Sequence, residues 1–254
     1  MDSIKTYLDK QLALTNTPAF AENDPVQFPR RYKKLQDIEI VAFVVATIAW
    51  GNRKMILNSA ERLLSSWGDA PHDYVMNEGY RTLGKANVHR TFFEHDLAYM
   101  LRGFRHIFAS YGSLENFLTH QNAGRAEAPA WYAASAMRTE MMKANGGQHN
   151  GKCFPVNLEN TALKRVNLAL RWLVRKDRIV DLGVWTCIRP HQLYIPLDVH
   201  AGNTARRLGL LQRKSNDRKA VEELTAKLRE FCPEDPVKYD FALFGTGVNK
   251  LMTQ

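Results

Sequence analysis

Asp198 sits where its type and surroundings could do chemistry. It follows Pro196 and Leu197 and opens a helix through Thr204, Arg206 and Arg207 that stops at Gly209. A carboxylate there caps free N–H groups at the positive end of a helix dipole, so it stays ionised and can face developing positive charge. In the same place it can also serve as a plain N-cap. A second feature lies upstream in 159–176, ENTALKRVNLALRWLVRK, which reads as an amphipathic helix. At 100° per residue, Ala162, Leu163, Val166, Ala169, Leu170, Leu173 and Val174 form its apolar stripe. Arg171 and Arg175 fall within about 20° of Lys164, one to either side, and the three read as one basic face.

The remaining polar chemistry is thinner. The histidines, His191 and His200 among them, lack the i, i+4 pairing or carboxylate spacing of a metal site, and no metal or other cofactor is expected. Cys153, Cys187 and Cys232 are odd in number and widely spaced, which suits reduced thiols better than a disulfide framework or an iron–sulfur site. Trp50, Trp172 and Trp185 carry rings that could stack a base, but their apolar neighbours favour core packing.

The elements that would position these residues are helical, and the fold class expected is all-α. Residues 38–50, IEIVAFVVATIAW, are apolar almost all round, as in a helix buried on every side, and Gly51-Asn52-Arg53 breaks that run. Ile56, Leu57, Ala60, Leu63, Leu64 and Trp67 then recur at helical spacing up to Gly68. Phe92, Phe93, Leu97, Leu101, Phe104 and Phe108 give a core helix ending at Gly112. A long connection between about 119 and 153 encloses a helix around Trp131 to Lys143. Residues 217–231 form another amphipathic helix, and Asp235-Pro236 provides an N-cap and an N1 proline for the last one.

With 254 residues, 45% hydrophobic and 24% charged, the chain is long enough and apolar enough to close a core without staples. It holds no run that would span a membrane and starts without the apolar core of a signal peptide, so no membrane partner and a cytoplasmic location are expected. The formal charge of +9 is unevenly placed. Residues 1–150 carry 17 basic and 15 acidic side chains, whereas 151–254 carry 18 and 11. Such asymmetry points to a polyanion as partner, on the C-terminal part.

The segment LYIPLDVHAGNTARRLGLL resembles the part of helix-hairpin-helix base-excision DNA glycosylases in which the active-site aspartate opens a helix. That family reads Val-Asp-Thr-His followed by an Arg-rich helix ending Arg-Leu-Gly-Leu. Here the order is Leu197-Asp198-Val199-His200 and Arg206-Arg207-Leu208-Gly209-Leu210. The apolar helix 38–50 with its Gly51-Asn52-Arg53 turn resembles the family's early helix, whose following turn reaches into DNA beside the lesion. DPVKYDFALFGTG is similar to its last core helix. No Gly-x-Gly occurs between Pro155 and Asp198, so the standard hairpin is absent. LKRVNLALRWLVRK resembles instead the lysine helix of archaeal 8-oxoguanine DNA glycosylases, and Lys164 lies 34 residues before Asp198. As a whole the chain resembles a bacterial family of this fold with no assigned function.

The resemblance implies a single unit of two helical lobes, about 37–150 and 151–250, with a cleft between them. It implies base excision from double-stranded DNA, with or without lyase activity, Lys164 acting as nucleophile and Asp198 as the stabilising carboxylate. DNA contacts are expected from Asn52 and Arg53 in the turn after the early helix and, on the basic C-terminal part, from Arg165, Arg171, Arg175, His200, Arg206 and Arg207. Two alternatives stay open: a non-catalytic nucleic-acid-binding protein of the same fold, and a protein whose basic surface binds an acidic protein or metabolite. The damaged base and the oligomeric state are not legible.

Overall fold

A computed structural model describes residues 2–249, with side-chain surroundings from Ser3 to Gly245. Among the described residues the chain is all-α apart from one short hairpin. In order it forms α1 (Asp2–Thr15), α2 (Pro18–Glu22), α3 (Leu35–Ile48), α4 (Arg53–Ser65), α5 (Pro71–Met76), β1 (Asn87–His89), β2 (Phe92–Phe93), α6 (Glu94–Tyr111), α7 (Leu114–His120), α8 (Pro129–Ala144), α9 (Lys164–Val174), α10 (Val199–Arg207), α11 (Arg218–Phe231) and α12 (Tyr239–Asn249). No helix among the described residues is long and apolar enough to cross a membrane.

One hydrophobic cluster runs from Leu8 to Leu243. Its centre is α3, buried from Ile38 to Ala49 as its all-round apolar sequence requires. The apolar stripe of α9 lies against α3, α1 and α10 both pack on α12, and α6 packs on α8. These pairings set α9 on α3 and α10 on α12, and Lys164 at the start of α9 bonds Ala49 at the end of α3.

Three boundaries differ from the sequence expectation, each for a local reason. The helix expected from 159 begins only at Lys164, because Leu163 takes a left-handed backbone (φ 50°) and turns precede it. The helix expected through Trp50 ends at Ile48, with Ala49 as its cap and Gly51 at φ 97° turning the chain. Phe92 and Phe93, expected to begin a helix, instead form β2, antiparallel to β1. The two faces of a two-residue strand bury Phe92 fully and Phe93 partly, so both periods fit the same pair of aromatics. Asp235 also departs from expectation: it makes no cap bond to the Pro236–Lys238 turn, and its carboxylate accepts from Arg175.

Candidate functional site

Lys164 occupies the first position of α9, directly after the left-handed Leu163. For a bulky residue that backbone is a true outlier, costing on the order of 1–3 kcal/mol, and such strain persists only where neighbours hold it. Here Asn167 does so: its backbone N–H donates to Leu163 O at 2.9 Å and its buried side chain donates to Ala162 O at 3.0 Å. The turn throws the Lys164 side chain across to α3, where Nζ donates to Ala49 O at 2.7 Å. That carbonyl belongs to the cap of α3, among those a helix leaves without a partner of its own.

Burial holds the Lys164 ammonium below its ordinary pKa, and the cationic Arg165 adds to this. Three carboxylates from distant parts of the chain pull the other way: Asp198, then Asp240, then Asp24. Asp198 is the N-cap of α10, accepting from Ala201 N at 2.9 Å as its position in the sequence predicts. Its backbone carbonyl is gripped from outside by Asn216 Nδ2 at 3.0 Å. Gly202 makes room for that grip, since a Cβ there would lie 2.8 Å from Asn216 Oδ1. Asp240, on α12, is pushed up to about 6 by burial and by the negative charges of Asp198 and Asp181, against the pull of Arg171 and Lys164. Asp24 caps the Pro25–Gln27 turn through Val26 N, and burial raises it. Asp240 lies in the segment similar to a last core helix but was given no role there, and Asp24 lies in no motif; only the tertiary fold brings their charges to bear on Lys164.

Arg171 and Arg175 need correction. The helical wheel places them beside Lys164 on a basic face, but they are 3% and 5% exposed. Arg171 is hydrogen-bonded to Asp240 and to Asp181 at 3.2 Å. Arg175 meets Asp177 at 2.6 Å, Asp181 at 3.0 Å and Asp235 at 2.8 Å. Their charges are matched by carboxylates inside the protein, so they offer no surface to a polyanion.

The other residues expected at the DNA are divided between roles. Asn52 is exposed and caps α4 through Met55 N at 3.3 Å. Arg53 lies 5.7 Å from the Phe20 ring and 5.1 Å from that of Phe244. His200 and Arg207 are exposed on α10. Arg206 turns inward, bonding Arg213 O and Asn216 Oδ1 at 2.6 Å, so it braces the asparagine that grips Asp198.

Arg165 has a partner the sequence did not suggest. Its guanidinium lies 5.6 Å from the Trp50 ring, and Arg90 lies 4.6 Å from the same ring. Trp50 is only half-buried and has both guanidinium groups against its ring, unlike the buried Trp172 and Trp185. Arg90 comes from the tip of the β1–β2 hairpin and its Nη1 lies against Gly51, where the φ of 97° is what calls for glycine. The available signal was a tryptophan set directly before Gly51-Asn52-Arg53. Lys164, Trp50 and Arg165 thus share one edge, joined through the Ala49–Trp50 backbone. Among the described residues no group of three or more His, Cys, Asp or Glu side chains could hold a metal ion.

The sequence profile of a family described as a protein of unknown function (DUF2400) matches residues 24–249. Comparison with the curated proteins and with the solved structures returned no match.

Proposed function

This chain belongs to the DUF2400 family, and we propose that it is a DNA N-glycosylase working from the edge formed by Lys164, Asp198 and Trp50. The observation that carries this reading is the placement of Lys164. Its amine is desolvated, bonded to a carbonyl, and faced by carboxylates on α10 and α12. Burial raises the neutral fraction of such an amine, and only the neutral amine is a nucleophile.

In the reaction proposed, a nucleotide leaves the stack and its C1′ comes to Lys164. The Nζ lone pair forms the C1′–N bond while the glycosidic bond breaks, its electron pair leaving with the base, which takes up a proton. Loss of a proton from Nζ and opening of the sugar ring give a Schiff base, from which strand cleavage can follow. Positive charge builds on the sugar as the base leaves, and the Asp198 carboxylate, fixed by its cap bond and by Asn216, is placed to oppose it. Asp240 keeps a second, titratable carboxylate before the lysine. Arg165 and Arg90 on Trp50, with Asn52, supply cations, a ring and a hydrogen-bonding side chain of the kinds that meet phosphates and bases.

The test is excision from duplexes bearing oxidised, alkylated or deaminated bases, with folding followed by circular dichroism. Wild type is expected to release at least one of them. Asp198→Asn keeps a helix cap and loses the charge, so it should fold and excise poorly; Lys164→Gln should fold and lose the covalent step. No release of any base by wild type that binds DNA would replace the enzyme with a non-catalytic binding protein.

A further inference from the structure

A strip of cations and ring faces leads away from Lys164 along the β1–β2 hairpin. At its far end is a surface hollow of about 630 Å³ lined by Leu83, Gly84, Lys85, Phe93 and His95. That volume falls in the range of roughly 300–1,000 Å³ common to ligand sites. The Phe93 and His95 rings lie nearly parallel, 6° between their planes and 5.7 Å between centroids. Lys152 Nζ stands 4.8 Å over the Phe93 ring. The Lys152 carbonyl in turn accepts from Arg165 Nη1 at 2.9 Å, and Arg165 reaches the Trp50 ring. The hollow is thereby linked, contact by contact, to the residue next to Ala49, whose carbonyl holds Lys164.

Carboxylates along this path are already engaged. Glu94 accepts from Gly84 N at 2.8 Å and Ala86 N at 3.3 Å, which shapes the rim. Asp96 is buried and accepts from Phe93 N, Asn150 Nδ2 and Lys152 Nζ, with His95 Nε2 at 3.4 Å. Lys85, Arg90 and Lys152 remain exposed toward solvent.

We propose that this strip seats an unpaired DNA strand beside the reacting nucleotide, so that the substrate class is DNA with a single-stranded run next to the target base. The inference rests on the glycosylase reading and narrows it. Spaced cations follow phosphates, and alternating ring faces follow bases. In a duplex, base faces are covered by their neighbours and their partners hold them in the stack, so the exposed His95 ring of the Phe93–His95 stack can meet only bases that have left it. A surface meant for duplex backbone alone would need cations and no rings.

The experiment is fluorescence anisotropy with a labelled, undamaged strand of about 20 nucleotides and its duplex, using wild type, the surface variant Lys85→Glu with His95→Ala, and Lys164→Gln. Wild type is expected to prefer the single strand. The surface variant, folded by circular dichroism, should bind that strand about tenfold more weakly and the duplex little changed, and Lys164→Gln should stay within about twofold of wild type. The strip is overturned if wild type prefers the duplex, or if the folded surface variant binds the strand as wild type does. Excision that persists and depends on Lys164 while the strip fails would leave the enzyme reading standing. Strand binding through the strip without excision of any base would remove the enzyme reading and leave the binding surface.

Discussion

The two ends of α9 carry positive charge into opposite circumstances. At its C-terminal end Arg171 and Arg175 are enclosed by Asp177, Asp181, Asp235 and Asp240 within hydrogen-bond distance. At its N-terminal end Lys164 reaches a carbonyl, and its carboxylates act on it electrostatically rather than as salt-bridge partners among the described residues. The arginines have bound their charge into structure, as planar, permanently charged forks do well. Burial makes the lysine give up its proton more readily than an exposed one would. A shared helical face therefore says nothing about a shared role; what covers each residue decides it.

The strongest way to break this comparison is to remove one cation at each end. Arg171→Met leaves Asp240 buried without its arginine and Asp181 with Arg175 alone, and is expected to cost about 3–5 kcal/mol in urea unfolding. Lys164→Gln should change stability by less than about 1 kcal/mol, since its amide can still donate to Ala49 O. Similar losses at both ends would erase the distinction.

A second buried charge sharpens it. Glu39, wholly enclosed on α3, accepts from Leu114 N, Glu115 N and Trp185 Nε1 and has no ion-pair partner among the described residues. Burial pushes it up to about 7 from an ordinary 4.5, opposed by those three donors. The folded state thus holds this proton more tightly than the unfolded chain. This group's contribution favours folding below about pH 4.5 and is lost as pH rises through about 7. Stability differences between wild type and Glu39→Gln should shift by on the order of 3 kcal/mol between pH 4.5 and 8, read from unfolding curves. A difference independent of pH would place no ionising group there.

A smaller effect tests the electrostatics at the lysine. Because Asp198 raises the Lys164 pKa, Asp198→Asn should lower it further. The rise of borohydride-trapped adduct with pH should then begin at lower pH than in wild type, although excision itself is slower. A shift to higher pH contradicts the arrangement. The smallest effect concerns α10. Arg207→Ala should flatten the log–log salt dependence of DNA binding by about one unit, as loss of one phosphate contact does. Arg206→Ala should also slow excision, since Arg206 braces Asn216 against Asp198.

Local features were legible in sequence and tertiary ones were not. Asp198 as a helix cap follows from neighbours within a few residues, and so does the buried α3. The wheel gave the side of α9 on which Arg171 and Arg175 lie but not that residues 177–181 and α12 cover that side. The left-handed Leu163 had no signal, because nothing in a leucine announces a positive φ; its cause is the pull of Asn167. Arg90 was invisible for the related reason that a three-residue strand and a two-residue strand are too short to show a period.

The most direct test is to trap wild type on DNA containing an abasic site with borohydride and map the adduct by peptide mass. A single adduct on Lys164, absent in folded Lys164→Gln, is the result expected; an adduct on another amine, or its persistence in Lys164→Gln, would contradict the role given to Lys164.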